Sequence, residues 1–343
     1  MRLCLPVLAG LLLSLAFQAS ATAGPWLVAD LDSGRVIAAE NATDPWHPAS
    51  VTKLMTAYVA LKAVKTGRIQ MNTALTVSER AAAMPPSKIG MKPGSTLTLD
   101  AALKILMVKS ANDVAIVVAE NLSGSVEAFA DEMNREAAHL GMSDSHFVNP
   151  NGLYAEGQQS SARDMAILAR RLFLDFPRQS GLFGIPAIQI GKRVMENTNG
   201  IIGRYQGATG LKTGFICAAG FNVVASAQRN GHRLVVVVFG ANSGAERTLK
   251  TMELLDKGFA APQAGFQQAL ETLPKSRAPL ADLRGVICGQ KDQNENEPPT
   301  DANAAQNPHI PPPLPPREKA EPVLVYLGGG KAPAAKKPAA KKG

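Results

Sequence analysis

The sequence predicts an α+β domain: one antiparallel sheet drawn from both ends of the chain, with a helical lobe inserted between them. Three observations lead there. Two β-rich runs around a tight turn lie near the start, at 26–38, and helical periodicity dominates 50–173. β-Formers then return between Phe215 and Phe239, ahead of a final amphipathic helix. The chain has 343 residues, 45% of them hydrophobic and 19% charged, so it can bury a substantial core.

The elements follow in order. Residues 1–23 read as a secretory signal peptide, with Arg2 before an apolar run from Leu3 to Phe17 and Ala21-Thr22-Ala23 as a cleavage site before Gly24. The mature protein is then exported, with its domain at 24–260. Trp26 to Leu31 is a strand, Asp32-Ser33-Gly34 a turn, and Arg35 to Ala38 the returning strand. Pro48 favours a helix start, and Met55, Tyr58, Val59 and Ala63 recur at helical spacing up to about Lys65, where Gly67 stops the helix. Residues 81–94 are loop-like, and helices follow from Thr98 to Lys109, Asn112 to Glu120, Val126 to His139 and Ser161 to Phe173. Arg229-Asn230-Gly231 is a hairpin turn. The unbroken apolar run from Leu234 to Phe239 suits a central strand covered on both faces, and Ala245 to Phe259 is the last helix.

Residues 261–288 form a short extension, and 289–343 read as a disordered, partly polyproline tail. Eleven of the 24 prolines fall between Pro298 and Pro338, and five lysines without an acidic residue lie in 331–343. Those lysines account for much of the +8 formal charge and suit weak contact with anionic lipid or wall polymer, with a solvated spacer lacking a specific partner as the alternative. Nothing resembles a nucleic-acid-binding element. The five histidines form no H-x-H or H-x-x-x-H pair, so no metal site is predicted. Export permits a disulfide between Cys217 and Cys288, with two free thiols as the alternative.

The chemistry starts from Ser50-Val51-Thr52-Lys53. In the first turn of a helix, Lys53 projects from the same face as Ser50 and can reach its hydroxyl, which makes an activated nucleophile without histidine. The lysine must be neutral to take the proton, so burial or a second cation has to lower its pKa. Alone the spacing is weak, because a serine and a lysine three apart arise by chance about once in 300 residues. Ser110-Ala111-Asn112 and Lys212-Thr213-Gly214 complete the set. In this order the three resemble the motifs of penicillin-binding proteins and class A β-lactamases. A decoy, Lys65-Thr66-Gly67, spells the third motif again, but there the glycine simply ends a helix.

Each motif has a chemical use. Ser50 attacks a carbonyl with Lys53 as general base, and the backbone N–H groups of Ser50 and Phe215 form an oxyanion hole. Ser110 relays a proton to the leaving amine, and Asn112 holds the substrate's amide. Lys212 and the Thr213 hydroxyl attract a carboxylate, and Gly214 lets a substrate backbone come close.

With Ala49 to Thr56, Asn151-Gly152-Leu153, Gly157 to Ala166, Leu211 to Gly214 and Phe221 to Ala227, the chain resembles the serine-type D-alanyl-D-alanine carboxypeptidases of peptidase family S11, the low-molecular-mass penicillin-binding proteins. The likeness runs from about Trp26 to Phe259. It implies a serine β-lactamase/DD-peptidase-like fold and a periplasmic enzyme that trims the terminal D-alanine from peptidoglycan pentapeptide stems, without metal or cofactor. It also implies roles in wall maturation and cell shape, and acylation by β-lactams. Arg247 falls where the family places an arginine near the substrate's terminal carboxylate. Phe215 departs from relatives that carry histidine or tyrosine there, and 261–288 is too short for the family's β-rich second domain. The glutamate block with which class A β-lactamases deacylate is absent. Endopeptidase action on cross-links and non-catalytic wall binding are the alternatives.

Overall fold

The computed structural model describes residues 24–262, 268–289 and 311–328. The expected signal peptide and the lysines of 331–343 lie outside the described residues. Trp26–Asp30 (β1) and Val36–Glu40 (β2) pair antiparallel around a turn that Asp30 closes, its Oδ1 accepting from the Ser33 N–H and hydroxyl. A single 3-10 turn at Ala49–Thr52 leads into Lys53–Lys65 (α1). Ala74–Thr76 (β3), Glu79–Ala82 (α2) and Thr96–Thr98 (β4) follow, with β3 and β4 paired as a small ribbon. Leu99–Val108 (α3), Asn112–Ser123 (α4), Val126–Leu140 (α5) and Ala162–Asp175 (α6) complete the helical lobe. Ala187–Ile190 (β5) and Arg193–Glu196 (β6) form a hairpin. Ala208–Ile216 (β7), Gly220–Arg229 (β8) and His232–Ala241 (β9) form a meander before Gly244–Ala260 (α7). Arg284–Ile287 (α8) and Val323–Leu324 (β10) are the last elements.

Side-chain caps set the helix starts. Thr98, Ser125, Ser161 and Ser243 each accept from the N–H three residues on, and left-handed Gly124 and Gly141 end α4 and α5.

The main sheet runs β2-β1-β9-β8-β7, so strands from the two chain ends meet where β1 pairs with β9. The β9 run is covered on both faces, as its unbroken apolar pattern predicts. Val235, Val237 and Phe239 join the core shared with the helical lobe, while Leu234, Val236 and Val238 pack with Leu254 and Leu255 of α7. Burying each such side chain contributes about 1.5–3 kcal/mol. α7 packs tightly at Gly258, where an added Cβ would lie 2.8 Å from Leu234 Cδ1.

Four features depart from or settle the sequence reading. Lys212-Thr213-Gly214 lies inside β7 rather than ahead of a strand, because β7 starts at Ala208. Gly207 and Gly210, both at positive φ, interrupt the β pattern that would have shown it. β3 to β6 and α2 fall in stretches without strong periodicity, where the sequence pattern predicts no element. Cys217 and Cys288 form a disulfide, which fastens the 268–289 extension to the end of the sheet. Finally, the expectation that all of 289–343 is disordered fails for 311–328. β10 pairs in parallel with β5, and the Gly328 N–H donates to Thr96 O at 2.6 Å. Val325 is buried there.

Candidate active site

The 3-10 turn before α1 buries Ala49, Val51 and Thr52 and leaves Ser50 as its partly exposed member. Core packing therefore presents one hydroxyl at the surface of a fixed turn. Asn222 of β8 secures the turn from below: its Nδ2 donates to the carbonyls of His47 (2.9 Å) and Pro48 (3.2 Å), and its Oδ1 accepts from the Gly240 N–H. Gly152 closes the other side, since an added Cβ there would lie 1.9 Å from Ala49 O.

Among the described residues, five non-glycine residues have positive φ: Asn41, Ala49, Ser110, Leu211 and Asn230. Asparagine tolerates this conformation in turns. The other three each sit beside or within a motif, next to Ser50, at Ser110 and next to Lys212. A strained non-glycine backbone costs about 1–2 kcal/mol and persists only where its surroundings over-determine it. Strain is thus concentrated at the three motifs.

Lys53, the first residue of α1, is fully buried. Its Nζ donates to Ser50 Oγ (2.9 Å), Asn112 Oδ1 (2.8 Å) and the Asn151 carbonyl (2.6 Å). Burial holds its pKa well below the usual lysine value; the Lys212 charge lowers it further and Asp113 opposes this. Asn112 Oδ1 and the Asn151 carbonyl take two N–H bonds, so in the neutral amine the lone pair faces the Ser50 hydroxyl. Asn112, at the start of α4, donates through Nδ2 to the carbonyls of Pro85 (3.2 Å) and Pro86 (3.1 Å). Both ends of its amide are therefore engaged by protein, so in this state Asn112 positions Lys53 rather than offering itself to a substrate amide.

Lys212 is buried, and burial, with the Arg247 charge second, lowers its pKa to about 7. Its Nζ donates to Thr213 O at 2.7 Å. The Thr213 hydroxyl meets that of Thr198 at 2.8 Å, and Arg247 donates to Thr198 O at 3.3 Å. Burial lowers the Arg247 pKa to about 10. Among the described residues Lys53, Lys212 and Arg247 make no salt bridge. Lys212 and Arg247 are thus buried basic groups without an ion-pair partner among the described residues, a costly arrangement that suits an anionic ligand.

Gly214 differs from its sequence reading. An added Cβ would lie 2.8 Å from Ser50 N and 3.0 Å from Pro48 O, so the glycine admits the protein's own nucleophile turn. Phe215 follows directly in β7, and its ring packs on Phe221 with centroids 4.5 Å apart. The structure brings Ser50, Lys53, Asn112 and Gly214 into contact, and joins Thr213 and Arg247 through Thr198 with Lys212 near both Lys53 and Arg247; Phe215 follows Gly214 in the chain and Ser110 lies two residues ahead of Asn112. Cys217 and Cys288 act as the staple of the extension instead.

Thr198 was missed by the sequence reading, and so were the parts that Asn151 O and Asn222 play. Asn197-Thr198-Asn199-Gly200 reads only as a polar loop, and a backbone carbonyl has no sequence signal. Among the described residues no group of three His, Cys, Asp or Glu side chains could hold a metal ion.

Comparison with known proteins agrees with this geometry. The family described as D-alanyl-D-alanine carboxypeptidase, Peptidase S11, matches residues 14–243. The chain is 36% identical over 234 residues to D-alanyl-D-alanine carboxypeptidase DacF of Bacillus subtilis, covering 67% of this chain and 60% of that protein. It is 35% identical over 247 residues to DacC of Escherichia coli, covering 70% and 62%. The chain thus spans about three fifths of these curated relatives' length. Among solved structures, the D-alanyl-D-alanine carboxypeptidase DacD of Francisella tularensis superposes with a TM-score of 0.68 at 27% identity, covering 70% of this chain and 71% of that one. Penicillin-binding protein D2 of Listeria monocytogenes, in its cefotaxime-bound form, superposes with a TM-score of 0.63 at 30% identity, covering 69% and 97%.

Proposed function

The chain belongs to the D-alanyl-D-alanine carboxypeptidase family, and from that premise we propose that it removes the terminal D-alanine from peptidoglycan pentapeptide stems. The observation that carries this reading is the Ser50 hydroxyl, 2.9 Å from a buried Lys53 amine whose pKa the buried Lys212 charge helps to lower, with buried Arg247 near Lys212. Lys212, Arg247 and Thr213 receive the substrate's terminal carboxylate. Neutral Lys53 takes the Ser50 proton as Oγ attacks the carbonyl of the penultimate residue. The developing oxyanion lies between the Ser50 and Phe215 N–H groups. As the tetrahedral adduct collapses, the C–N bond breaks, and the leaving D-alanine takes the proton from Lys53 by way of Ser110. Water then hydrolyses the Ser50 ester and frees the shortened stem. Asn112 holds the lysine throughout.

β-Lactams acylate Ser50 by the same attack; the cefotaxime-bound relative supports this. The pattern of 1–23 supports work outside the cytoplasm, in the periplasm. Among the described residues no helix is long and apolar enough to cross a membrane.

The test is D-alanine release from a muramyl pentapeptide by the wild type and by Ser50→Ala. Release by the first and none by the second is the expected result. Release by neither would overturn the carboxypeptidase reading in favour of cross-link cleavage or wall binding.

A further inference from the structure

The segment 311–328 crosses the molecule beside the site. Arg204 Nε donates to Pro315 O at 2.8 Å, and the Glu318 N–H donates to Gly203 O at 2.7 Å. Between them Arg317 turns inward. Its NH1 donates to Asn197 O (3.0 Å) and to Glu196 Oε2 (3.2 Å), and its NH2 donates to Asn199 O (3.0 Å). The planar fork thus grips the two carbonyls that flank Thr198. Burial lowers the Arg317 pKa, and its Cγ would lie 3.1 Å from a Cβ on Gly203. Further along, β10 pairs with β5, and Gly328 reaches Thr96 at the edge of the helical lobe.

Thr198 is the residue this grip controls. Its hydroxyl meets that of Thr213, and its carbonyl accepts from Arg247, so it joins the two groups assigned to the substrate carboxylate. The loop has other ties: Asn197 Nδ2 donates to Ile185 O, and the Asn199 N–H donates to Asn197 Oδ1. These ties shape the loop internally. Arg317 is the contact from the C-terminal segment that spans both sides of Thr198.

We propose that 311–328 is a strap whose Arg317 positions Thr198, and through it Thr213 and Arg247, for recognition of a substrate's terminal carboxylate. Arg317 touches no reacting atom and is a positioning residue. The inference rests on the carboxypeptidase reading, because it concerns the carboxylate end of that cleft. The consequence is selective. Losing the grip weakens binding of a free carboxylate and leaves Ser50, Lys53 and Asn112 in place.

The experiment compares wild type with Arg317→Ala on a pentapeptide ending in D-alanine and on the same peptide with its C-terminus amidated. Arg317→Ala is expected to raise KM for the acid about tenfold with kcat within about twofold, and to lower the acid-to-amide ratio of kcat/KM by about the same factor. Arg317→Lys keeps the charge but lacks the planar fork, and should raise KM by an intermediate amount. It also serves if the alanine variant does not fold. An unchanged acid-to-amide ratio, full activity of Arg317→Lys, or equal losses on both substrates would overturn the strap's role. A wild type that cleaves neither peptide would overturn the carboxypeptidase reading itself, and the inference with it.

Discussion

Lys-Thr-Gly occurs twice in this chain, and the two copies share nothing but their letters. Lys65-Thr66-Gly67 ends α1: the lysine is exposed and reaches Asp175 O at 3.3 Å, and the Thr66 hydroxyl donates back to Lys62 O and Ala63 O. Gly67 is left-handed, and an added Cβ would meet nothing within 4 Å. Lys212-Thr213-Gly214 lies within β7, with the lysine 1% exposed and the glycine against the nucleophile turn. In the first copy the tripeptide caps carbonyls. In the second its neighbours change the chemistry: burial and Arg247 lower the lysine's pKa, and a second threonine joins the hydroxyl. Surroundings make the motif a site.

Substitution in parallel sharpens the contrast most. Lys212→Ala should lower kcat/KM for D-alanine release by about a thousandfold, as losing one preorganised electrostatic group does, while Lys65→Ala leaves it within about twofold. Equal losses would break the comparison. The glycines come next. Gly214→Ala forces a Cβ into the Ser50 turn and should slow acylation about a hundredfold. Gly67→Ala should cost about 1 kcal/mol in denaturant unfolding, from its positive φ alone, with unchanged acylation.

A pH profile reads the smallest effect. Lys53 works neutral, so kcat/KM rises with pH through its lowered pKa. Lys212 works charged, so kcat/KM falls again above about 7, by about tenfold per pH unit. A bound carboxylate favours the charged form and raises that pKa, so the alkaline limb of kcat should lie above that of kcat/KM. Coincident limbs would mean that Lys212 does not meet the carboxylate.

What residue spacing alone shows is local; the distant motifs join the site through the resemblance. Ser50 and Lys53 are one helical step apart, and the apolar run of β9 carries its two-sided burial in its composition. The partners that aim Lys53 lie 59 and 98 residues away, one of them a backbone carbonyl, and no spacing rule reaches them. Composition averaged over the tail hides the ordered 311–328 segment. Val323 to Leu327 is a short β-forming run after Pro322, and proline before such a run is compatible with an edge strand. Arg317 gives that strap a polar anchor that composition cannot express.

The central claim is that Ser50 is a nucleophile activated by Lys53. Its most direct test is intact mass and peptide mapping after brief exposure to benzylpenicillin. The account predicts one adduct on wild type, mapped to the peptide carrying Ser50, no adduct on Ser50→Ala, and greatly slowed labelling of Lys53→Ala. An adduct on another residue, or labelling of Lys53→Ala at the wild-type rate, would contradict it.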